Sequence, residues 1–281
     1  RTSSILGASL IYDTLDNRVH PTRGRVASAN VDFAGLGGSV KYLRGRLNAA
    51  QYWPVGKGFI FSVSGEGGII KALSNNNDPN VDNIRLTDRF YLGEPELRGF
   101  DIRGVGPRVL RKYYSTDANG ALVEATDRNQ WSDDAIGGRF YYQGRAELEI
   151  PLGSGAKEMG IRPSIFADIG AVWGIKTPQI FKNITYPYTV TCNSVSTTVT
   201  NETGVAPTLG AQCTGASDGV SSSTPFREYF VGNTWKPRLS VGVGFNWNSP
   251  FGPFRIDFAK TILKRDGDDP KSFTFNVGTQ F

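Results

Sequence analysis

The stretch Phe273–Phe281, with the sequence FTFNVGTQF, alternates apolar and polar side chains and finishes on an aromatic residue. Successive side chains of a β-strand point to opposite faces, so this stretch would carry an apolar row and a polar row. A membrane barrel needs that division, because lipid meets one face of each strand and the barrel interior meets the other. The predicted lipid-facing residues are Phe273, Phe275, Val277 and Phe281.

The composition of the chain favours an all-β protein. None of its 281 residues belongs to a run near the roughly 18 consecutive apolar residues that a membrane helix needs. Its 34 glycines, 15 prolines, 17 phenylalanines and 11 tyrosines are typical of strands and turns. The formal charge of +5 comes from basic residues that are spread along the chain, so we expect no nucleic-acid partner.

Nine segments alternate well enough to predict strands. In 237–247 the odd positions carry Leu, Val, Val, Phe and Trp, whereas the even positions carry Arg, Ser, Gly, Gly and Asn. In 139–151 one face is likewise apolar, and the other carries arginine and glutamate. The predicted strands are 4–12, 24–33, 40–53, 58–72, 139–151, 161–173, 237–247, 253–262 and 273–281.

The connections between these strands alternate between long and short. The long ones are 74–138, 174–236 and 264–272, and the short ones include 54–57, 152–160 and 248–252. Bacterial outer-membrane barrels have short periplasmic turns and longer extracellular loops. We therefore predict an antiparallel transmembrane β-barrel of the outer membrane, with its carboxy terminus on the periplasmic side. Because single-chain bacterial barrels have even numbers of strands, nine strands predict an incomplete barrel.

The sequence offers little for catalysis or metal binding. Cys192 and Cys213 are the only cysteines, and their shared polar stretch suits a loop-closing disulfide in an oxidising compartment. Two cysteines without a neighbouring histidine make a poor metal site. The only histidine, His20, precedes Pro21 in a turn, and we expect it to be solvated rather than part of a catalytic triad. We predict no catalytic residue, no metal and no cofactor.

Four motifs follow one another along the chain. They are Asp13–Gly24 (DTLDNRVHPTRG), Leu97-Arg98-Gly99-Phe100, Phe166-Ala167-Asp168-Ile169-Gly170 and Ser249-Pro250-Phe251-Gly252-Pro253. In these motifs the chain resembles the BamA-like outer-membrane assembly and translocation family, whose hallmark is a [V/I/L]-R-G-F motif at the tip of a long inward-folded loop. The resemblance implies a 16-stranded barrel of which residues 1–281 are the carboxy-terminal part. It also implies early strands and periplasmic POTRA repeats that this sequence does not contain.

The two central motifs imply a lock between the loop 74–138 and the barrel interior. Strand parity places Glu147, Glu149 and Asp168 on the interior face, where a guanidinium can bind a carboxylate through two hydrogen bonds. We expect Arg98 to pair with Asp168 and Glu149, with Glu147 as a less favoured partner. Gly99 would allow a backbone conformation closed to other residues, and Phe100 would wedge against apolar interior surface. The predicted lock residues are Arg98, Gly99, Phe100, Glu149, Phe166, Asp168 and Gly170.

The resemblance implies that the complete protein inserts and folds outer-membrane proteins. In the implied mechanism the first and last strands meet at a weak lateral seam, which offers unpaired backbone groups to an incoming strand. Strand 273–281 would form one side of the seam, with a weak point in its ladder at the glycine. The predicted seam residues are Phe273, Phe275, Val277, Gly278 and Phe281.

The implied partners are outer-membrane lipids, unfolded outer-membrane proteins, accessory assembly lipoproteins and periplasmic chaperones. Two alternatives remain open at this point. The first is a related two-partner-secretion or autotransporter-assembly translocator, which this part of the barrel hardly distinguishes from an assembly factor. The second is a passive porin, whose open channel would not need a loop held inside it.

Overall fold

A computed structural model describes residues 3–38, 40–74, 78–79, 81–153, 160–249 and 252–277. Two predicted seam residues, Gly278 and Phe281, lie outside the described residues. The chain divides into two compact units. The first comprises Arg1–Arg108, Ala135–Thr177 and Gly232–Phe281, and the second comprises Val109–Asp134 and Pro178–Val231.

The first unit contains a nine-stranded antiparallel sheet. Its strands, in spatial order, are β1 (Ser3–Asp13), β2 (Gly24–Gly38), β3 (Tyr42–Gly56), β4 (Phe59–Ala72), β8 (Phe140–Glu149), β9 (Ile161–Trp173), β14 (Arg238–Ser249), β15 (Gly252–Leu263) and β16 (Phe273–Val277). Each strand pairs with its neighbour along this order, so the nine predicted strands and their antiparallel arrangement are confirmed. The outermost strands are β1 and β16, and the described residues contain no pairing between them.

The second unit is built from the two long connections, which the sequence had predicted only as loops. One small sheet is formed by β5 (Arg108–Thr116), β6 (Leu122–Glu124), β7 (Ser132–Ala135) and β13 (Phe226–Val231). The other is formed by β10 (Tyr186–Cys192), β11 (Val195–Asn201) and β12 (Gly219–Ser222). A disulfide joins Cys192 to Cys213 within this unit.

The helices in the described part of the chain are two single 3-10 turns, Leu86–Asp88 and Arg128–Gln130. Neither has the length or the apolar character to cross a membrane.

The two faces of the nine-stranded sheet invert the burial pattern of a soluble protein. On β14, Val241 and Val243 point outward and are exposed, whereas Ser240 between neighbouring strands is completely buried. On β16, Phe273 and Phe275 are half exposed, whereas Thr274 is buried. An apolar outer face with a polar inner face is the pattern of a strand that separates lipid from a barrel interior. We call these the apolar face and the polar face of the sheet.

Residues 90–107, which we call the inner loop, lie on the polar face of this sheet. Leu92, Leu97, Phe100 and Val105 of the loop are buried in one cluster with residues of the strands and of the adjoining connections. Phe90 of the loop belongs to the same cluster, and the residues outside the loop are Ala34, Val40, Tyr42, Ile70, Ile84, Tyr141 and Val172. A polar face that a packed loop covers in this way cannot be an empty lumen at that level.

Candidate functional site

The register of β8 against β9 places the charged groups beneath the inner loop. Arg145 lies opposite Asp168, and Glu147 lies opposite Phe166. Since side chains alternate along a strand, these four residues all point to the polar face. The adjacent β14 and β15 place Ser240 and Asp257 on the same face.

Arg98 of the inner loop binds Asp168 in a bidentate manner. Its Nε donates to Oδ2 over 2.7 Å, and its Nη2 donates to Oδ1 over 2.8 Å. The backbone N–H of Arg98 also donates to Asp168 Oδ2, over 3.2 Å. The guanidinium carbon lies 3.4 Å from the ring centroid of Phe166, which gives a cation–π contact. Arg98 is 1% exposed and Asp168 is 0% exposed, so this pair lies fully away from solvent.

Further charges surround this pair and balance it. Arg98 Nη1 donates to Glu147 Oε2 over 3.1 Å and lies 3.7 Å from Asp257 Oδ1. Arg145 Nε lies 3.1 Å from Asp168 Oδ1, and Arg255 Nε lies 2.7 Å from Asp257 Oδ2. Three arginines therefore face three carboxylates, which is the condition under which buried charges are tolerated.

The glycines of the two central motifs allow close backbone approach. Gly99 has a φ of +87°, and a Cβ there would come within 2.8 Å of Ser240 Cβ. A Cβ on Gly170 would come within 2.9 Å of Leu92 Cδ2. Phe100 is completely buried in the apolar cluster. The predicted lock residues Arg98, Gly99, Phe100, Phe166, Asp168 and Gly170 are thus brought together beneath or within the inner loop.

The predicted partnership of Arg98 with Glu149 is wrong. Arg98 binds Glu147 instead, the residue the sequence had ranked lower. Glu149 lies opposite Ser164, two residues and about 7 Å further along β8. Its carboxylate lies 3.0 Å from His20 Nε2, and His20 is only partly exposed. His20 thus lies in the predicted turn with its side chain 33% exposed, and it pairs with Glu149 in addition.

Several residues at this site escaped the sequence analysis. Arg145 could have been found, because it shares its strand face with Glu147. Arg255 and Asp257 lie two residues apart on one strand, which also places them on one face. Another buried ion pair, Arg238 Nε with Asp268 Oδ2 at 3.0 Å, joins the start of β14 to the connection before β16. A pair such as Arg238 and Asp268, which are 30 positions apart, leaves no signal in a single sequence.

The connection between β15 and β16 contacts the inner loop as well. Lys271 Nζ lies 3.1 Å from Asp101 Oδ1 and 3.3 Å from Glu94 Oε2. The hydrogen bond to Asp101 raises the pKa of Lys271. The described seam residues, Phe273, Phe275 and Val277, lie on the apolar face of β16 and are exposed.

Comparison with known proteins gives a consistent result. Residues 1–281 match the profile of the Omp85 superfamily domain. Outer membrane protein assembly factor BamA of Neorickettsia risticii (strain Illinois) is 26% identical over 278 residues, 99% of this chain and 27% of the relative. The protein of the same name from Neisseria meningitidis serogroup B is 25% identical over 276 residues, 95% of this chain and 27% of the relative.

More distant relatives and a solved structure extend this likeness. The Sorting and assembly machinery component 50 homolog of Mus musculus is 26% identical over 151 residues, 53% of this chain and 26% of the relative. The crystal structure of BamA from Haemophilus ducreyi lacking POTRA domains 1-3 superposes with a TM-score of 0.60 at 21% identity. That match covers 96% of this chain and 41% of the solved chain.

The fold is that of an antiparallel transmembrane β-barrel, to which the described residues contribute nine strands. The chain belongs to the Omp85 superfamily. It spans 27% of the length of the two bacterial relatives, so it corresponds to a part of such proteins.

Proposed function

We propose that residues 1–281 are the carboxy-terminal part of the barrel domain of an outer-membrane protein assembly factor. The barrel would lie in the bacterial outer membrane, with the carboxy terminus on the periplasmic side and the connections 74–138 and 174–236 outside the cell. The carrying observation is the buried, bidentate pair between Arg98 of the inner loop and Asp168 of β9. The bacterial relatives named as assembly factors support it at the level of the family.

The proposed mechanism needs no catalytic residue. The inner loop fills part of the interior and fixes β8, β9, β14 and β15 relative to one another through the charges around Arg98. The edge strand β16 would then form one side of a lateral seam, with Phe273, Phe275 and Val277 toward lipid. An unfolded outer-membrane protein would add its strand to this edge by backbone hydrogen bonds. Lipids, accessory lipoproteins and periplasmic chaperones are the other proposed partners.

The proposal is tested in the full-length protein by measuring the insertion of a reporter barrel into membranes. Arg98→Ala leaves three carboxylates facing two arginines, and Asp168→Ala leaves an uncompensated guanidinium. Each change is expected to destabilise the bound position of the inner loop by about 3–5 kcal/mol and to reduce insertion strongly.

A matched pair of carboxylates on β8 provides the control. Glu147→Gln removes a partner of Arg98 and is expected to impair insertion, whereas Glu149→Gln removes only the partner of His20 and is expected to leave it intact. Normal insertion by Arg98→Ala and Asp168→Ala would contradict the proposal. If those variants inserted barrels normally but failed to export a secreted passenger, the translocator alternative would take its place.

A further inference from the structure

The inner loop is joined to the chain segment that leads into β16 by a short run of backbone hydrogen bonds. Asp101 N donates to Asp269 O over 2.9 Å, and Asp269 N donates to Gly104 O over 2.8 Å. Lys271 N donates to Gly99 O over 3.0 Å. The inner loop, which carries Arg98, therefore makes direct backbone contacts with the connection between β15 and β16.

Glu94, at the start of the inner loop, extends these contacts onto β16 itself. Its Oε2 accepts a hydrogen bond from Thr274 Oγ1 over 2.9 Å, and its Oε1 accepts one from Asn276 Nδ2 over 3.0 Å. Lys271 Nζ adds an ion pair at 3.3 Å. Glu94 is 8% exposed and Thr274 is 4% exposed, so the carboxylate makes these bonds largely away from water. Bonds to a charged acceptor in such a site are among the stronger hydrogen bonds of proteins.

The described part of β16 has few other attachments. It pairs with β15 through five residue pairs, from Phe254↔Val277 to Phe258↔Phe273, and the described residues give it no second neighbour. The β14–β15 pair, in contrast, runs from Leu239↔Leu263 to Ser249↔Gly252. Thr274 and Asn276 are the two polar-face positions of β16, and a single carboxylate binds both.

We infer that Glu94 is a positioning residue that holds the edge strand β16 against the inner loop. A carboxylate suits this role because its two oxygens are acceptors only, and each meets one donor of the strand. By holding the inner loop in place, Arg98 then also fixes the edge at which an incoming strand would pair. That last step rests on the proposed function, whereas the attachment of β16 by Glu94 does not.

Hydrogen exchange of the full-length protein in lipid nanodiscs tests the attachment directly. Glu94→Ala is expected to speed amide exchange in 273–277 by about tenfold or more, because two charge-assisted bonds are lost. Exchange in 161–173 of β9 is expected to stay unchanged. Glu96→Ala is the matched control, since Glu96 lies two residues away in the same loop and is exposed. Glu94→Gln, which keeps one acceptor oxygen, is expected to fall between the wild type and Glu94→Ala.

Thr274→Val provides a second test that does not alter the inner loop. It removes one donor to Glu94 at nearly constant volume, and exchange in 273–277 is again expected to rise. Unchanged exchange in 273–277 in both variants would overturn the inference. An equal rise in β9 would overturn it too, because that would be general destabilisation.

Reporter insertion by the same variants separates the inference from the proposed function. Faster exchange in β16 together with altered insertion supports both. Faster exchange in β16 with normal insertion supports the attachment by Glu94 and contradicts a role for this edge in assembly.

Discussion

At the scale of single residues, Arg98 shows how a buried charge can be built into a barrel. Its guanidinium is satisfied on both edges by Asp168 and Glu147, and its face is covered by Phe166. Removing either carboxylate would leave charge unpaired in a site closed to water. Ser240 donates to the carbonyl of Arg98 as well, so backbone and side chain are fixed together. Lysine could supply the charge but not the planar pair of bonds.

Gly99, the residue after Arg98, gives a prediction that separates backbone strain from steric overlap. Gly99→Ala introduces strain at a φ of +87° and brings Cβ within 2.8 Å of Ser240 Cβ, whereas Gly120→Ala introduces strain at +82° with open space around it. We expect Gly120→Ala to cost about 1–2 kcal/mol from backbone strain alone. Gly99→Ala is expected to cost a further 1–3 kcal/mol or so from overpacking. Denaturant unfolding of the purified protein in micelles measures both, and equal losses would contradict the close contact.

At the scale of an element, the turn between β1 and β2 depends on Asp16. The hydroxyl of Thr22 donates to its carboxylate, as do the backbone N–H groups of Arg23 and Thr22. These bonds, that of the Thr22 hydroxyl first, lower the pKa of Asp16 well below its ordinary value. A lowered pKa means that the turn is fully stabilised above the ordinary value of about 3.9 and loses this stabilisation as the pH falls below it.

The resulting prediction concerns the amides of this turn in acid, because the lowered pKa of Asp16 means that it takes up its proton only below the ordinary aspartate range. The Thr22 and Arg23 amide resonances are expected to hold their positions through the ordinary aspartate range and to move only at lower pH. An NMR titration in micelles measures this. In Asp16→Asn the same resonances should show no such acid transition, and a transition at the ordinary aspartate pKa in the wild type would contradict the proposed bonds.

The strands themselves could be predicted from the sequence, because a period of two survives in each of them. In 237–247 the alternation specifies both the element and its two faces, and the structure agrees. The same parity put Glu147 and Glu149 on one face but could not choose between them. Which of the two binds Arg98 depends on the register of β8 against β9 and on where the inner loop contacts the sheet. Local alternation encodes neither. The seven described strands of the long connections were missed because they are short, from three residues in β6 to nine in β5, so each offers few repeats of any alternation.

At the scale of the whole molecule, the distribution of exposed apolar side chains is the feature that sets the environment. In a water-soluble sheet the apolar rows would be covered. On β14 the apolar row is exposed instead, and it consists of Val241, Val243, Phe245 and Trp247. Ser240, on the other face of the same strand, is buried. A large apolar surface of this kind is stable only against lipid or another apolar partner. The charges are collected on the other face, where the inner loop neutralises them. The sheet is thus stabilised by apolar surroundings on one face and by ion pairs with the inner loop on the other.

Two valines of nearly equal exposure test this arrangement. Val243 on β14 is 42% exposed on the apolar face, and Val199 on β11 of the second unit is 40% exposed. Val243→Arg places a charge in the hydrocarbon and is expected to cost about 2–4 kcal/mol if it lies near the bilayer midplane. Val199→Arg places the same charge in water and is expected to be tolerated. Insertion of each full-length variant into lipid vesicles, measured by protease protection, compares them; equal insertion would mean that the apolar face of β14 does not meet lipid.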